Sequence, residues 1–294
     1  MITVFTPTYN RKNQIIILYK SLQNQTYTNF EWLIVDDGST DGTINEIQKY
    51  MKEKKIKIRL FCQKNSGKHV AFNKGIKEAK GELFICVDSD DYLTADAMYW
   101  INHIDEKYRD NLLICGYVFL KGYTSEKPVT DYYSNYESIE NYNDYIINKG
   151  FKGDKCEVFR TNILKQYQFP IFDKEKFLAE GFLYSHIGRK YQYVFVNEII
   201  YLCEYLSNGL TKSGRKLRIN NPQGGMAHAQ EYLDPKYYLL KIRIKNYLLY
   251  YTYARFYKKR DTSYRILKRK SFLSKICYQA SLIIYIYWDR KYGA

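Results

Sequence analysis

Short apolar runs alternate with longer amphipathic stretches across the first hundred residues, and this alternation constrains the fold more than any other feature. The apolar runs, which we interpret as strands, cover residues 2–6, 32–35, 56–62 and 83–87. The intervening helical windows cover residues 12–24, 42–54, 68–80 and 95–108. Strands joined by helices form βαβ units, and unbroken apolar runs are typical of parallel strands that are covered on both faces. The sequence therefore predicts an α/β fold, an αβα sandwich around a mostly parallel central sheet.

Polar and acidic residues follow three of these four strands. The first strand runs into PTYNRK, the second into DDGSTDGT and the fourth into DSDD. Such residues also form turns and helix N-caps, which explains the DDGSTDGT loop about as well as a ligand site does. Because the carboxyl ends of parallel strands meet at one edge, where ligands bind, the three clusters together favour a binding site.

Asp88, Asp90 and Asp91 lie within four positions of one another, although like charges so close are mutually unfavourable. A hard divalent cation such as Mn²⁺ or Mg²⁺, bound together with a diphosphate, would offset that repulsion. The alternative is an acidic N-terminus for the helix that begins near Thr94. Because no His/Cys ligand set accompanies the acids, oxygen ligation is the predicted chemistry.

After residue 110 the regular alternation of predicted strands and helices ends. We predict a strand at 112–120, a polar stretch at 123–150, helices at 156–168 and 175–190, and a strand at 193–206. The predicted organisation is a domain over 1–206, a mobile Gly-, Asn- and Lys-rich loop over 207–228, and a basic, aromatic helical region over 229–294.

The net charge of +15 is concentrated near the end of the sequence, where residues 236–294 hold 15 Lys or Arg and two Asp. Basic helices rich in Tyr suit an anionic membrane surface, although the same helices could pack on the first domain with their charges outward. Nucleic acid is disfavoured because no recognisable nucleic-acid module is present.

The six cysteines form no C-x-x-C pair, and the sequence shows neither a spanning helix nor a signal peptide. We expect a cytoplasmic protein, peripheral on the inner face of the membrane.

Four blocks resemble the successive signatures of glycosyltransferase family 2. They are TPTYNR at 6–11, QTYTNFEWLIVDDGSTDGT at 25–43, NSGKHVAFNKGIKEAKGELFICVDSDD at 65–91 and FLAEGFLYSHIGRKYQYVFVNE at 177–198. The resemblance spans residues 1–206 and implies an inverting enzyme with a GT-A fold. It further implies that residues 1–110 bind a nucleotide-sugar and that residues 111–206 form the acceptor side.

The resemblance also implies roles for individual residues. Nucleotide-binding roles fall on Pro7, Thr8, Tyr9, Arg11, Asp37, Lys68, Asn73, Asp88 and Ser89. Among these, Tyr9 would pack near uracil, and Asp37 would accept the uracil ring N–H, which favours a UDP-sugar. Asp88 and Asp90 would hold the metal, whereas Asp91 would cap the following helix.

In the second half of the resemblance, Glu180 matches the carboxylate that removes the proton of the acceptor hydroxyl. Without the block match, Glu180 would be interpreted as an ordinary solvated helix residue. Asp154 is a second candidate, for the floor of the pocket that faces the sugar. Lys212 and Arg215 lie in the predicted loop, which would close over the diphosphate.

The sequence departs from the family pattern at two positions. Phe72 stands where many members have an arginine, so Lys68 would supply the cationic contact instead, and Gly181 replaces the second residue of an acid pair. The predicted function is metal-assisted transfer of a sugar to a hydroxyl of a glycan or lipid-linked acceptor in bacterial surface polysaccharide synthesis. A nucleotidyltransferase is one alternative, although the glycine-rich phosphate loop is absent near the N-terminus, and a non-catalytic carbohydrate- or lipid-binding relative is another.

Overall fold

The computed structural model describes residues 1–151, 153–203, 214–261, 263 and 271–292. Nine strands occur within these ranges: β1 (Ile2–Thr8), β2 (Phe30–Asp36), β3 (Ile58–Cys62), β4 (Leu83–Cys86), β5 (Tyr92–Leu93), β6 (Ile114–Gly122), β7 (Glu137–Glu140), β8 (Lys155–Arg160) and β9 (Gln192–Leu202). The helices of the first 203 residues are α1 (Ile15–Gln23), α2 (Thr43–Glu53), α3 (Lys68–Glu78), α4 (Ala97–Tyr108), α5 (Thr161–Leu164) and α6 (Gly181–Ile187), with a π-helical segment at Asn143–Asn148.

All nine strands belong to one sheet. Its main path runs in the order β3-β2-β1-β4-β8-β6-β9-β5, and β7 pairs with β9. The four strands from β3 to β4 are mutually parallel, with Ile2 opposite both Phe30 and Leu83. In the second half of the sheet, β8 runs antiparallel to β4 and β6, whereas β6 and β9 are parallel. The prediction of an α/β fold with a mostly parallel sheet is confirmed.

The two faces of the sheet carry separate apolar cores, because successive side chains of a strand point in opposite directions. On β1 and β2, Val4, Trp32 and Ile34 belong to one core, whereas Phe5 and Leu33 belong to the other. Helices α1, α2 and α4 cover the first face, and α3 and α6 cover the second. The result is the three-layer sandwich that the sequence predicts.

Among the described residues beyond the sheet there are four helices: α7 (Gly214–Asn220), α8 (Pro222–Glu231), α9 (Leu240–Arg260) and α10 (Phe272–Tyr292). They share a third apolar core, to which Met226, Tyr253 and Trp288 contribute. The end of helix α8 joins this bundle to the sandwich, since the hydroxyl of Tyr232, the residue after α8, lies 3.1 Å from Ser185 Oγ on α6. In the described part of the chain, no helix is both long and apolar enough to cross a bilayer.

The predicted mobile loop over 207–228 is wrong from residue 214 onward, where α7 and α8 are helical. Pro222 is compatible with a helix because it occupies the first turn, where its missing N–H is not needed. Gly224 serves close packing, since a Cβ at that position would lie 2.3 Å from the Phe177 carbonyl oxygen. Residues 207–213 lie outside the described residues.

The helix predicted at 156–168 is also wrong, because residues 155–160 form β8 in the centre of the sheet and only α5 follows. The strand has a period of two, with Cys156 and Val158 in one core and Phe159 in the other. The helix predicted at 175–190 shortens to α6.

Candidate active site

The loops that follow β1 and β2 are held together by hydrogen bonds. Asn10 has a φ of 51°, its N–H donates to Ser39 Oγ at 2.8 Å, and its Oδ1 accepts from Thr40 N at 2.8 Å. The N–H of Arg11 donates to Thr43 Oγ1 at 3.0 Å. Two of the predicted strand-end clusters therefore form one continuous rim at the edge of the sheet.

Asp37 anchors the loop that leads into α3. Its Oδ1 accepts from Gln63 Nε2 and from the Ser66 N–H, both at 2.8 Å, and its Oδ2 accepts from the Gly67 N–H at 2.8 Å. Gly67 has a φ of +97°, and a Cβ there would lie 2.1 Å from the carbonyl oxygen of Lys176. The loop thus packs directly against the segment that precedes Glu180.

Lys68, the first residue of α3, joins two carboxylates from distant parts of the chain. Its Nζ lies 2.6 Å from Asp88 Oδ1, just beyond β4, and 2.8 Å from Glu180 Oε1, just before α6. Burial disfavours the charged form of Asp88, but the nearby ammonium groups of Lys68 and Lys121 outweigh burial and lower the pKa of this carboxyl group. About a third of each of the three bridged side chains is exposed, so a ligand can reach them.

Three charged residues that the sequence did not predict line the same pocket: Lys121 on β6, and Lys155 and Glu157 on β8. Burial raises the pKa of Glu157 to about 7, although Lys121 and Lys155 oppose the shift. Glu157 Oε1 also accepts a hydrogen bond from the Tyr142 hydroxyl at 3.2 Å. The period-two pattern of KCEVFR is the signal that could have revealed this strand and its inward-facing acid.

Asp91 does not cap the following helix, which begins at Ala97 after Asp96. Instead, Asp91 Oδ2 accepts from the Tyr201 hydroxyl at 2.7 Å, and the Tyr201 oxygen accepts from the Asp88 N–H at 3.0 Å. Burial, reinforced by the neighbouring Asp88, raises the pKa of Asp91 to about 7. Tyr201 therefore fixes the backbone turn that presents Asp88.

Asn73 donates from its amide to the Phe169 carbonyl and accepts the Phe169 N–H, both at 2.9 Å. In this structure the Asn73 side chain holds the irregular segment around Phe169 against α3. Phe72, at the departure from the family pattern, packs in the core against Phe5 and Phe84.

The other predicted residues divide between the rim and more distant positions. Pro7, Thr8 and Ser89 are buried, whereas 47% of Tyr9 is exposed. The Arg11 guanidinium lies 3.6 Å from Asp90 Oδ2. Asp154 is exposed just before β8 and is absent from the pocket lining.

Arg215 lies on α7, and its guanidinium stacks 4.6 Å above the ring of Trp288, so its placement in a loop over the diphosphate is wrong. The cation–π contact holds the side chain within the helical bundle. Lys212 lies outside the described residues.

Within the described ranges, no group of three or more His, Cys, Asp or Glu side chains is arranged to hold a metal ion. Asp88 and Asp90 nevertheless offer two carboxylates on one turn. Two carboxylates suffice for Mg²⁺ or Mn²⁺ when phosphate oxygens and water complete the coordination, so the donor set fits such a cation.

The fold and this site define a class of α/β protein with a charged pocket beyond the carboxyl ends of parallel strands, and comparison with known proteins identifies the family. Residues 3–168 match the family model described as Glycosyl transferase family 2, and the chain belongs to this family. The resemblance found in the sequence is thereby confirmed.

Similar curated proteins match only part of this chain. A poly(ribitol-phosphate) beta-N-acetylglucosaminyltransferase, TarS of Staphylococcus aureus strain Mu50, is 36% identical over 115 residues, which are 38% of this chain and 20% of TarS. A teichuronic acid biosynthesis glycosyltransferase described as putative, TuaG of Bacillus subtilis, is 36% identical over 99 residues, 33% of this chain and 39% of TuaG. The match thus spans well under half the length of either relative.

Solved structures share the fold across nearly the whole chain. Residues 1–349 of S. aureus TarS in complex with UDP-GlcNAc align with a TM-score of 0.65 at 20% identity, covering 97% of this chain and 80% of that one. The mannosyltransferase PcManGT from Pyrobaculum calidifontis, in complex with GDP-Man and Mn²⁺, aligns at 0.58 and 16% identity, covering 99% and 82%. The predicted GT-A fold is confirmed.

Proposed function

We propose that this chain is an inverting glycosyltransferase that moves a sugar from a nucleotide diphosphate to a hydroxyl of a glycan or lipid-linked acceptor. The observation that carries the proposal is the Lys68 ammonium shared by Asp88 and Glu180. Asp88, the proposed metal ligand, and Glu180, the proposed general base, both line one charged pocket, which supports the proposal.

Glu180 is the proposed general base. The acceptor oxygen attacks the anomeric carbon in line with the departing phosphate oxygen, and the hydroxyl proton passes to the Glu180 carboxylate. The new bond forms on the face opposite the one that breaks, so the configuration inverts. Partial exposure of Glu180 supports this role, because an acceptor can reach it from solvent.

Asp88 and Asp90 are the proposed ligands of a bound Mn²⁺ or Mg²⁺, which would take up charge on the leaving diphosphate, a contribution of several kcal/mol. Both carboxylates now face cations on flexible side chains, Lys68 and Arg11. Those cations can turn toward phosphate oxygens when a donor binds. This exchange lets Lys68 act as the cationic contact that the sequence analysis assigned to it.

A UDP-sugar is the proposed donor. Asp37 Oδ2 accepts one hydrogen bond and keeps a lone pair for a uracil ring N–H, and the exposed Tyr9 ring is available for stacking. Similarity to TarS, whose structure contains UDP-GlcNAc, supports the donor class. The names of TarS and TuaG support an acceptor in surface polysaccharide synthesis.

The test is thermal unfolding with a panel of nucleotide-sugars, with and without Mn²⁺. We expect UDP-sugars together with Mn²⁺ to raise the Tm of the wild type, because a ligand that binds only the native state stabilises it. Asp88→Asn combined with Asp90→Asn should abolish the shift, whereas Asp110→Asn, at an exposed position, should preserve it. No shift with any donor, or an undiminished shift in the double variant, would contradict the proposal.

A further inference from the structure

Helix α10 packs one face against the bundle. The residues buried on this side are Ser274, Cys277, Ser281 and Trp288. Arg255 of α9 reinforces the contact by donating from Nη2 to the Tyr278 carbonyl at 2.7 Å. The orientation of α10 about its own axis is therefore fixed.

The opposite face of α10 is apolar and exposed. Its large side chains are Phe272, Ile276, Leu282, Ile283, Ile286 and Tyr287, with exposed fractions from 41% to 79%. At 3.6 residues per turn they fall within an arc of about 140°, along a helix roughly 30 Å in length. No part of the described chain covers this stripe, and exposed apolar patches of such extent mark interaction sites.

Positive charge accompanies the stripe. Lys275, Arg290 and Lys291 are exposed on α10, whereas the helix has a single acid, Asp289, which pairs with Lys259 Nζ at 3.0 Å. The surrounding sequence, residues 236–294, has a net charge of +13. The partner of this face should therefore combine negative charge with an apolar interior.

We propose that the outer face of α10 docks on an anionic lipid bilayer, with the helix axis in the plane of the interface. The aliphatic side chains and Phe272 enter the acyl boundary, Tyr287 lies at headgroup depth, and the lysines and arginines contact lipid phosphates. This inference does not depend on the reaction that the protein catalyses.

Two other occupants fit less well. A second copy would bring one +15 chain against another, which mutual repulsion opposes. Single-stranded nucleic acid is bound by stacking on aromatic rings, but most of the stripe is aliphatic.

The experiment is co-sedimentation of the full chain with vesicles of phosphatidylcholine alone or of phosphatidylcholine with phosphatidylglycerol. We compare the wild type with Ile276→Asp/Ile283→Asp and with a control, Leu112→Asp/Ile171→Asp, which changes two exposed apolar residues outside α10. We expect wild-type and control binding to require phosphatidylglycerol and to weaken as salt increases. The α10 variant should bind at least tenfold more weakly.

Equal binding of the two double variants would overturn the proposal, because adsorption would then depend on charge alone. Equal binding to both vesicle types would overturn it as well. Light scattering that shows a wild-type dimer and an α10-variant monomer would assign the face to a second copy instead. The same variants are also tested for a thermal shift with UDP-sugars. A shift that persists while vesicle binding fails would contradict only the docking proposal, whereas a missing shift would contradict the proposed function.

Discussion

The carboxylates at the ends of β2 and β4 lie at the same edge of the sheet but are held in different ways. Asp37, beyond β2, accepts hydrogen bonds from two backbone N–H groups and from Gln63, and 5% of it is exposed. Asp88, beyond β4, shares one lysine ammonium with Glu180, and about a third of each side chain is exposed.

This difference separates a structural acid from acids that are free to react. Backbone donors cannot leave Asp37 without unfolding the loop that begins α3, so its carboxylate keeps these partners and can offer a ligand only the remaining lone pair of Oδ2. A lysine side chain can rotate away, which allows Asp88 and Glu180 to exchange their partner for a ligand. The free energy of unfolding should therefore depend mainly on Asp37, beyond β2, whereas catalysis should depend on Asp88, beyond β4, and on Glu180.

Glu180→Gln should give the largest effect. It keeps the size of the side chain but removes the proton acceptor, so we expect kcat to fall by about 10² to 10⁴-fold with little change in donor affinity. Sugar transfer and donor hydrolysis, measured at saturating donor, provide the readout. Glu126→Gln, at an exposed position, is the matched control and should retain full activity. An active Glu180→Gln enzyme would remove Glu180 from the role of base.

Asp37→Asn tests the structural half of the comparison. Whichever way the amide is oriented, its NH₂ group faces at least one N–H donor, so charge-assisted hydrogen bonds are replaced by a buried mismatch. We expect a loss of about 2 to 4 kcal/mol in the free energy of unfolding.

Chemical denaturation measures this loss, with Asp88→Asn as the paired variant. Because Asp88 forms a partly exposed ion pair, its replacement should cost less than about 1 kcal/mol. Equal losses at the two positions would show that the two strand ends do not differ as argued.

The sequence predicted the parallel half of the sheet because its strands are buried on both faces and consist of nearly unbroken apolar runs, as in β1 and β2. It also gave Asp88 and Glu180 the roles of metal ligand and general base, but through the family signature blocks rather than from local pattern. Their shared partner, Lys68, was assigned to the ribose and diphosphate.

The residues that sequence reasoning missed are polar groups inside the sheet. Strand β8 begins with Lys155, contains Glu157 and ends with Arg160, so its composition resembles that of a surface helix. The charges of Glu157 and Arg160 are tolerated because Glu157 accepts from the Tyr142 hydroxyl and Arg160 donates to the Tyr108 carbonyl. Such compensation depends on contacts between distant segments, which local pattern does not encode.

Glu157→Gln tests the buried acid of that strand through the pH dependence of stability. The pKa of Glu157 is about 7 in the folded protein, against an ordinary value of 4.5. Between these values the unfolded chain binds fewer protons than the native state, so the wild type loses stability as pH rises from about 5 to about 7.

Because Gln cannot ionise, the variant should gain about 1 to 3 kcal/mol relative to the wild type over this interval. Denaturation at a series of pH values measures the difference. Glu126→Gln should show no such trend, since its side chain is exposed. A constant offset between wild type and Glu157→Gln would mean that Glu157 ionises at its ordinary pH.

Tyr201→Phe should have a smaller effect than Asp37→Asn or Glu157→Gln and tests how the turn beyond β4 is positioned. The substitution removes a hydroxyl that donates to Asp91 and accepts from the Asp88 N–H, so both groups lose a partner while the buried ring remains. We expect a loss of about 1 to 2 kcal/mol in unfolding free energy. If Tyr201 orients the turn that presents Asp88, donor affinity in the presence of Mn²⁺ should weaken as well.

Tyr99→Phe, whose ring is 48% exposed, is the control for loss of a tyrosine hydroxyl. Lower stability with unchanged donor affinity would restrict Tyr201 to the fold and leave Asp88 positioned by Lys68 alone.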